Sequence, residues 1–431
     1  MPESPSIVAP DGARPRPRAV WSRALASRIP RSWREAIWIT LIVRIGLLLV
    51  GVVVWLQAGA PGPCHFEVAR NGWATIPPLD GSGAAFPLVG VWQRWDACWY
   101  TKIAAFGYEP GTDATAFFPA FPLLMRAVAA PLAGDVALAG MVLNLVLSVV
   151  GLAGLHRLVT RDLGVRVADR TVVYLSVFPA ALFLYAPFTE ALFLATTVWA
   201  FVGARERRWW LAAAAALVAG LTRPQGVLLV LPIAWEVAVA WRSGDLVRPR
   251  AAPRALAVLD IVRPSIVDRL APVCAIGAPI AGIAIFGWYT SAVARLPFFD
   301  AQDAWGGREF HPPWETLGAA IDWVRAGGQS AGIELLNVGL LVLFAVVVVL
   351  AARRLPVSYT LYATASLLLI AIRIQPIPLT STLRFLLVLF PVFAALGIAG
   401  RSRRFDLAWT IGSTLLLGLA AATFVRGDFV A

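Results

Sequence analysis

The chain has 431 residues, of which 59% are apolar and only 14% charged, with a mean hydropathy of +0.73 and a formal net charge of +12. That composition excludes an ordinary soluble domain and makes lipid the solvent. A nucleic-acid partner is excluded too, because no clustered basic surface interleaved with aromatics stands in a soluble segment.

Residues 1–34 are rich in Pro, Arg and Ser and lack an apolar core or a cleavage site. The apolar run that follows is too long for the h-region of a signal peptide, so the two together predict a disordered basic tail before an uncleaved anchor. From there, runs of about 16 to 25 apolar residues recur, each long enough or nearly so to cross roughly 30 Å of hydrocarbon as a helix. Eleven spans are predicted, near 35–57, 133–156, 171–187, 188–204, 209–222, 226–241, 271–291, 332–352, 355–372, 383–400 and 405–425. The fold class is therefore an all-α polytopic integral membrane protein, with one transmembrane domain over 35–431 and two long outer loops, 58–132 and 292–331.

Arginine placement sets the orientation, since positive residues collect in short cytoplasmic loops. With the N-terminus inside, segments 1–34, 157–170, 205–208, 242–270, 353–354 and 401–404 hold 25 of the 37 basic residues. One span more or fewer upstream would put the 242–270 loop, with its six arginines, on the wrong face. The expected location is a bacterial plasma membrane, crossed many times, with membrane lipids as the surroundings and the long loops outside.

Loops beyond about 12 to 15 residues usually have a role. In the first, Trp92, Trp95, Trp99 and Phe106 recur at helical spacing beside Tyr100 and Tyr108, which predicts a helix lying at headgroup depth. On it Trp92, Asp96 and Tyr100 would share one face. Asp96 has the chemistry of a general base, and the aromatic rings Trp92, Trp95 and Tyr100 suit the C–H faces of a sugar. A second interfacial stretch is predicted at 116–126. The bland alternative is an aromatic belt with a solvated acid.

Ionisable groups at the outer ends of spans are costly enough to mark function. Glu190, Arg223 and Arg384 fall there, on the face that carries Asp96. Two guanidinium groups at a cavity suit a lipid phosphate, the alternative for each being to snorkel at its helix end. Pro224 after Arg223, between short spans, predicts a broken hairpin lining that cavity. Arg44, midway along the first span, needs a polar partner or a path to the inner leaflet, and no role is assigned to it.

In the second outer loop Gln302, Trp305 and Arg308 are candidates for acceptor contacts, and Gly306, Gly307, Pro312 and Pro313 predict an ordered turn over the cavity mouth. His311 has no second His nearby, which favours a surface histidine over a ligand. The cysteines number three, Cys64, Cys98 and Cys274, too few for a zinc framework. An oxidising compartment permits a Cys64–Cys98 bridge, but spacing alone does not bring two Cα atoms within about 7 Å. Neither a nucleotide-sugar pocket nor a metal cluster is visible, so no cofactor is called for.

The segments RWDACWYTKIAAFGYEP (94–110), AFFPAFPLLMR (116–126), FPAALFLYAPFTEALFL (178–194), LTRPQG (221–226), AQDAWGGRE (301–309) and LRFLLVLFP (383–391) together resemble the PIG-V type mannosyltransferases, GT-C superfamily enzymes related to GPI mannosyltransferase II. The likeness runs in order from about residue 90 to 400; Ala120 stands where Leu is expected and Phe385 where Tyr is common. The resemblance implies a GT-C-like bundle that transfers a mannosyl residue, with inversion, from a polyprenyl-phosphate-linked donor to a lipid-linked or glycan acceptor outside the membrane. Asp96 would then be the base, Arg223 and Arg384 the phosphate-binding cations, and Glu190 an orienter of the acceptor or of an arginine. Readings of other classes are a flippase of lipid-linked sugars and a non-catalytic subunit of a glycan assembly complex.

Overall fold

In hydrocarbon a backbone must satisfy its own polar groups, and a helix does so within a single segment. The apolar runs accordingly become the longest helices of this protein. The computed structural model describes residues 29–62, 64, 86–110, 112–246, 266–296, 301, 310–328, 331–372 and 377–430. The helices are α1 (Arg31–Ala58), α2 (Asp96–Phe106), α3 (Ala120–Ala129), α4 (Val136–Leu163), α5 (Val165–Ser176), α6 (Glu190–Arg205), α7 (Trp209–Gly220), α8 (Val230–Arg242), α9 (Ile266–Trp288), α10 (Pro313–Arg325), α11 (Ala331–Ala351), α12 (Val357–Ala371), α13 (Thr382–Leu387), α14 (Phe390–Ala399) and α15 (Arg403–Val425). Short 3₁₀ turns, among them Gly90–Trp92, Pro179–Leu184 and Pro224–Leu229, link several of them, and no β-strand forms among the described residues.

Every predicted span coincides with one or more of these helices and turns, and six helical stretches among the described residues are long and apolar enough to cross a bilayer. Of the tail predicted as disordered over 1–34, residues 1–28 lie outside the described residues, as does the basic loop over 247–265, while Arg31–Arg34 already form the first turn of α1. Two predicted spans are broken rather than continuous. In 171–187, α5 stops at Ser176 and the chain runs through the Pro179–Leu184 turn before α6 starts at Glu190. In 383–400, α13 ends at Leu387 and α14 restarts at Phe390 with Pro391 in its first turn, where a missing N–H costs nothing.

Lipid gives no solvophobic drive between helices, so close backbone approach through small residues holds them together. The run WWLAAAAALVAG of α7 shows this against α9. A Cβ on Gly220 would collide with the Pro279 carbonyl, and one on Gly282 would stand 2.5 Å from the Leu217 carbonyl oxygen. Gly220→Leu is expected to prise α7 from α9 at a cost of about 1–3 kcal/mol, read as a lowered thermal midpoint of the detergent-solubilised protein. It should also disturb Arg223, three residues further on.

The described part of the 58–132 loop builds a second, smaller core. Trp99 and Tyr100 of α2 pack on Phe117 and on Phe121 of α3, and this layer rests on Ala139 and Leu143 of α4. α3, which overlaps the 116–126 stretch, buries Phe121 and Met125 while Leu123 and Leu124 stay exposed.

Candidate active site

Asp96 is the first residue of α2, where a carboxylate is favoured by the positive end of the helix dipole. The residue before it, Trp95, has φ 53°, in the left-handed region that a bulky side chain enters only under constraint. The constraint is tertiary. Arg94 donates from Nη1 to Gly62 O (2.8 Å) and from Nη2 to Pro61 O (2.8 Å) and Val425 O (3.4 Å). Burial of this guanidinium lowers its pKa to about 10. Cys64 N–H donates to Gln93 O (3.0 Å), and a Cys64–Cys98 disulfide, with its Cα atoms 5.6 Å apart, ties the same chain to α2. The bridge that spacing alone left open is therefore formed. Reducing it, or replacing Cys98 by Ser, is expected to destabilise the fold by on the order of 2–4 kcal/mol, checked by thermal melts with and without reductant.

The bend at Trp95 overturns the expectation that Trp92, Asp96 and Tyr100 share a helix face. Trp92 lies on the separate Gly90–Trp92 turn, is fully buried, and packs on Tyr185 and Phe424. It is a core residue and not a platform for sugar. Trp95 is half-buried with its ring edge-on to Phe429 at 5.3 Å. Tyr100 does share a face with Asp96, but its ring is buried in the loop core and its hydroxyl lies beside Thr189. Burial, helped by the Asp96 charge, raises the Tyr100 pKa and keeps the phenol protonated.

Four of the ionisable residues singled out in the sequence, Asp96, Glu190, Arg223 and Arg384, converge on one relay. Arg384 Nη1 donates to Asp96 Oδ2 at 2.6 Å and Arg384 Nε to Glu190 Oε1 at 2.7 Å. Arg223 Nη2 pairs with the same Glu190 oxygen, and Arg223 Nε donates to Thr189 Oγ1 at 2.6 Å. Two carboxylates thus face two guanidinium groups, a neutral set, which is what allows charge to be buried this deeply. Glu190 is completely buried, whereas the Asp96 side chain keeps 22% of its surface open. Phe188 and Phe183 lie 4.7 and 5.1 Å from the Arg384 guanidinium and add cation–π stabilisation.

Broken helices hold these groups in place. The irregular stretch before Glu190 leaves main-chain carbonyls without helical donors, and neighbouring spans supply them. Asn144 Nδ2 donates to Ala186 O (2.5 Å) and Phe188 O (3.0 Å), while Ser148 Oγ donates to Leu184 O (3.1 Å). Arg44 donates to Leu184 O (3.0 Å) and Met141 O (3.1 Å) under the Tyr185 ring, so the polar partners it requires are backbone carbonyls. Arg223 stands in extended conformation between α7 and the Pro224–Leu229 turn. There Gly226 is required, because a Cβ would meet the Ala219 carbonyl oxygen at 2.6 Å. Ala120 N–H donates to Leu221 O (3.0 Å), which joins the 116–126 segment to this break.

Arg223 also lines a groove of about 570 Å³, counting the open space at its mouth, walled by residues of α6, α12, α13 and the turn before α13. Among the described residues Arg223 Nη1, Gln225 Oε1 and Thr382 Oγ1 are buried on this lining without a hydrogen-bond partner. Tyr362, Ser366 and Thr380 add further polar groups to a lining made mostly of apolar side chains. Thr189, Gln225 and Thr382 were not singled out from the sequence, although the first two stand inside the segments FTE and TRPQG beside residues that were. Gln302, Trp305 and Arg308 lie outside the described residues. His311 Nδ1 faces Glu315 at 3.2 Å, and no cluster of three metal-ligating side chains stands among the described residues.

No family model matches the chain, and no curated protein does. Solved structures give remote likenesses. ArnT from Cupriavidus metallidurans, bound to undecaprenyl phosphate, aligns with 77% of this chain and 70% of its own at 12% identity and a TM-score of 0.44. The Archaeoglobus fulgidus oligosaccharyltransferase, in complex with zinc and sulfate, aligns with 90% of this chain at 11% identity and a TM-score of 0.45. This chain spans 53% of that protein's length.

Proposed function

We propose that the protein is a GT-C-type membrane glycosyltransferase that moves a sugar from a polyprenyl-phosphate donor to an acceptor hydroxyl, with inversion. One observation carries this reading: a partly open carboxylate, Asp96, is tied through Arg384 and Glu190 to Arg223, which lines a groove of mostly apolar walls and keeps a buried Nη1 without a hydrogen-bond partner. An apolar slot ending in a guanidinium fits a prenyl chain ending in phosphate. Asp96 accepts the proton of the acceptor hydroxyl, whose oxygen attacks the anomeric carbon from the face opposite the phosphate. The bond between that carbon and the phosphate oxygen breaks, and the phosphate departs with the electron pair. Arg223 meets the charge that develops on it, and Arg384 holds Asp96 aimed while adding to the positive potential.

The Cys64–Cys98 bridge supports an outer-face site, since disulfides persist in oxidising compartments. Mannose as the sugar, and a lipid-linked or glycan acceptor, follow the resemblance of the quoted segments. The test supplies membrane vesicles holding this chain with labelled polyprenyl phosphate mannose. Label is expected in a product with wild type and not with Asp96→Asn; no labelled product from wild type ends the mannosyl donor assignment. In the same assay Arg223→Ala is expected to raise the donor KM by about 10- to 100-fold, the worth of a charge-assisted hydrogen bond, and Gln225→Ala by less than about tenfold.

A further inference from the structure

Glu334 and Asn337 stand one turn apart on α11 and are both buried. Glu334 Oε1 accepts the Leu379 N–H at 2.8 Å, and Asn337 Nδ2 donates to the Leu379 carbonyl at 3.1 Å. Both polar groups of one residue's main chain are thus gripped by side chains from another helix, as a neighbouring strand would grip them. The Asn337 amide also reaches Glu334 Oε2 at a long 3.4 Å. Leu379 belongs to a short turn in which Thr380 N–H donates to Ile377 O (3.1 Å) and Thr382 N–H to Leu379 O (3.1 Å). Ser381, at φ 66°, closes the turn in the left-handed region. On one side Pro378, Leu379 and Thr380 wall the groove that ends at Arg223. On the other the turn leads directly into α13, which carries Arg384 to Asp96.

No regular secondary structure fixes 377–381. The side-chain grip on Leu379 does so in its place, and it is made by a carboxylate whose burial in this apolar setting is costly unless it has work to do. We propose that Glu334, assisted by Asn337, is a positioning residue of the transfer reaction: by holding Leu379 it sets the wall of the donor groove and, through the turn, the place of Arg384 against Asp96. This rests on the reading of the groove as the donor's slot.

Two variants and two measurements decide it. Glu334→Leu removes the acceptor and leaves a buried N–H unpaired. Glu334→Gln keeps an acceptor for Leu379 and gives up only the long contact to Asn337. In full-length protein in vesicles with labelled polyprenyl phosphate mannose, Glu334→Leu is expected to raise the donor KM by about 10- to 100-fold, the cost of an orphaned amide, with kcat also reduced. Glu334→Gln should return both to within about threefold of wild type, the long contact being worth less than a full hydrogen bond. In hydrogen exchange of the same proteins without any donor, Glu334→Leu should lose protection at the Leu379 amide and keep it in α4 and α6, and Glu334→Gln should retain it. Glu334→Gln as impaired as Glu334→Leu overturns the proposal. So does a Glu334→Leu enzyme with unchanged KM whose activity falls only with its folded fraction. If wild type transfers nothing from this donor, the mannosyl assignment fails on its own account, and unaltered exchange at Leu379 in Glu334→Leu then removes the clamp as well, whereas selective loss there upholds it.

Discussion

Asp96→Asn is expected to lower sugar transfer by about 10²–10⁴-fold, the usual worth of a general base, while leaving binding of the donor intact. Asparagine preserves the size of the side chain and an oxygen for Arg384 Nη1, which now meets Asp96 Oδ2 at 2.6 Å, so the relay should keep its shape. It removes one negative charge from a set of two carboxylates and two guanidinium groups, which makes the site more welcoming to a phosphate. Binding of a polyprenyl phosphate, followed by equilibrium dialysis in detergent, should therefore be unchanged or tighter than in wild type. Asp96→Glu keeps the base but moves it by a methylene, and a displacement on the order of 1 Å is enough to cost about 10² in rate. A loss of less than tenfold in Asp96→Asn would remove Asp96 from the chemistry. Unimpaired movement of lipid-linked sugar across the vesicle would speak instead for a flippase, which has no use for a base at one end of the bundle.

The parts of this arrangement that the sequence makes visible are those with a local energetic signature. A charged residue inside an apolar run has to be compensated, so Glu190, Arg223 and Arg384 announce themselves without any knowledge of what they touch. Their pairing is another matter, because the partners come from far along the chain: Asp96 and Arg384 are 288 residues apart, and Glu190 and Arg384 are 194 apart. The face they share could be inferred from the alternation of spans, but the shared oxygen of Glu190 could not. Span positions were legible for the same local reason, and Pro224 marked its own break, whereas the breaks at Pro179 and Pro391 fall inside runs that read as continuous spans.

Trp92 shows where local reading stops. Spacings of four among Trp92, Asp96 and Tyr100 are helical, and nothing nearby contradicts a helix through all of them. The chain is turned out of that helix at Trp95 by Arg94 reaching the carbonyls of Pro61, Gly62 and Val425 and by Cys98 bonding to Cys64, all of them tertiary contacts. The groove was hidden similarly. Its walls come from α6, the Pro224–Leu229 turn, α12 and residues 378–389, so that Gln225 and Thr382 acquire meaning only once those elements are brought together.

Replacing Glu190 should have the largest effect on folding. Its single Oε1 holds both Arg384 Nε and Arg223 Nη2 in a place with no exposure to solvent. Glu190→Leu would leave two guanidinium groups with only Asp96 between them, and stranding buried charge in this way costs about 3–5 kcal/mol. The thermal midpoint of the solubilised protein should fall accordingly, and transfer should be lost with it, since Arg384 would no longer be anchored on the side opposite Asp96. The double replacement Glu190→Leu with Arg223→Leu restores neutrality, leaving Arg384 with Asp96 alone. It should therefore recover at least half of the lost stability, while transfer stays absent because the cation facing the groove is gone. Recovery of stability without recovery of activity would separate what Glu190 does for the fold from what Arg223 does for the substrate. A double variant no more stable than Glu190→Leu would mean that the cost arises from the cavity left by the side chain and not from uncompensated charge.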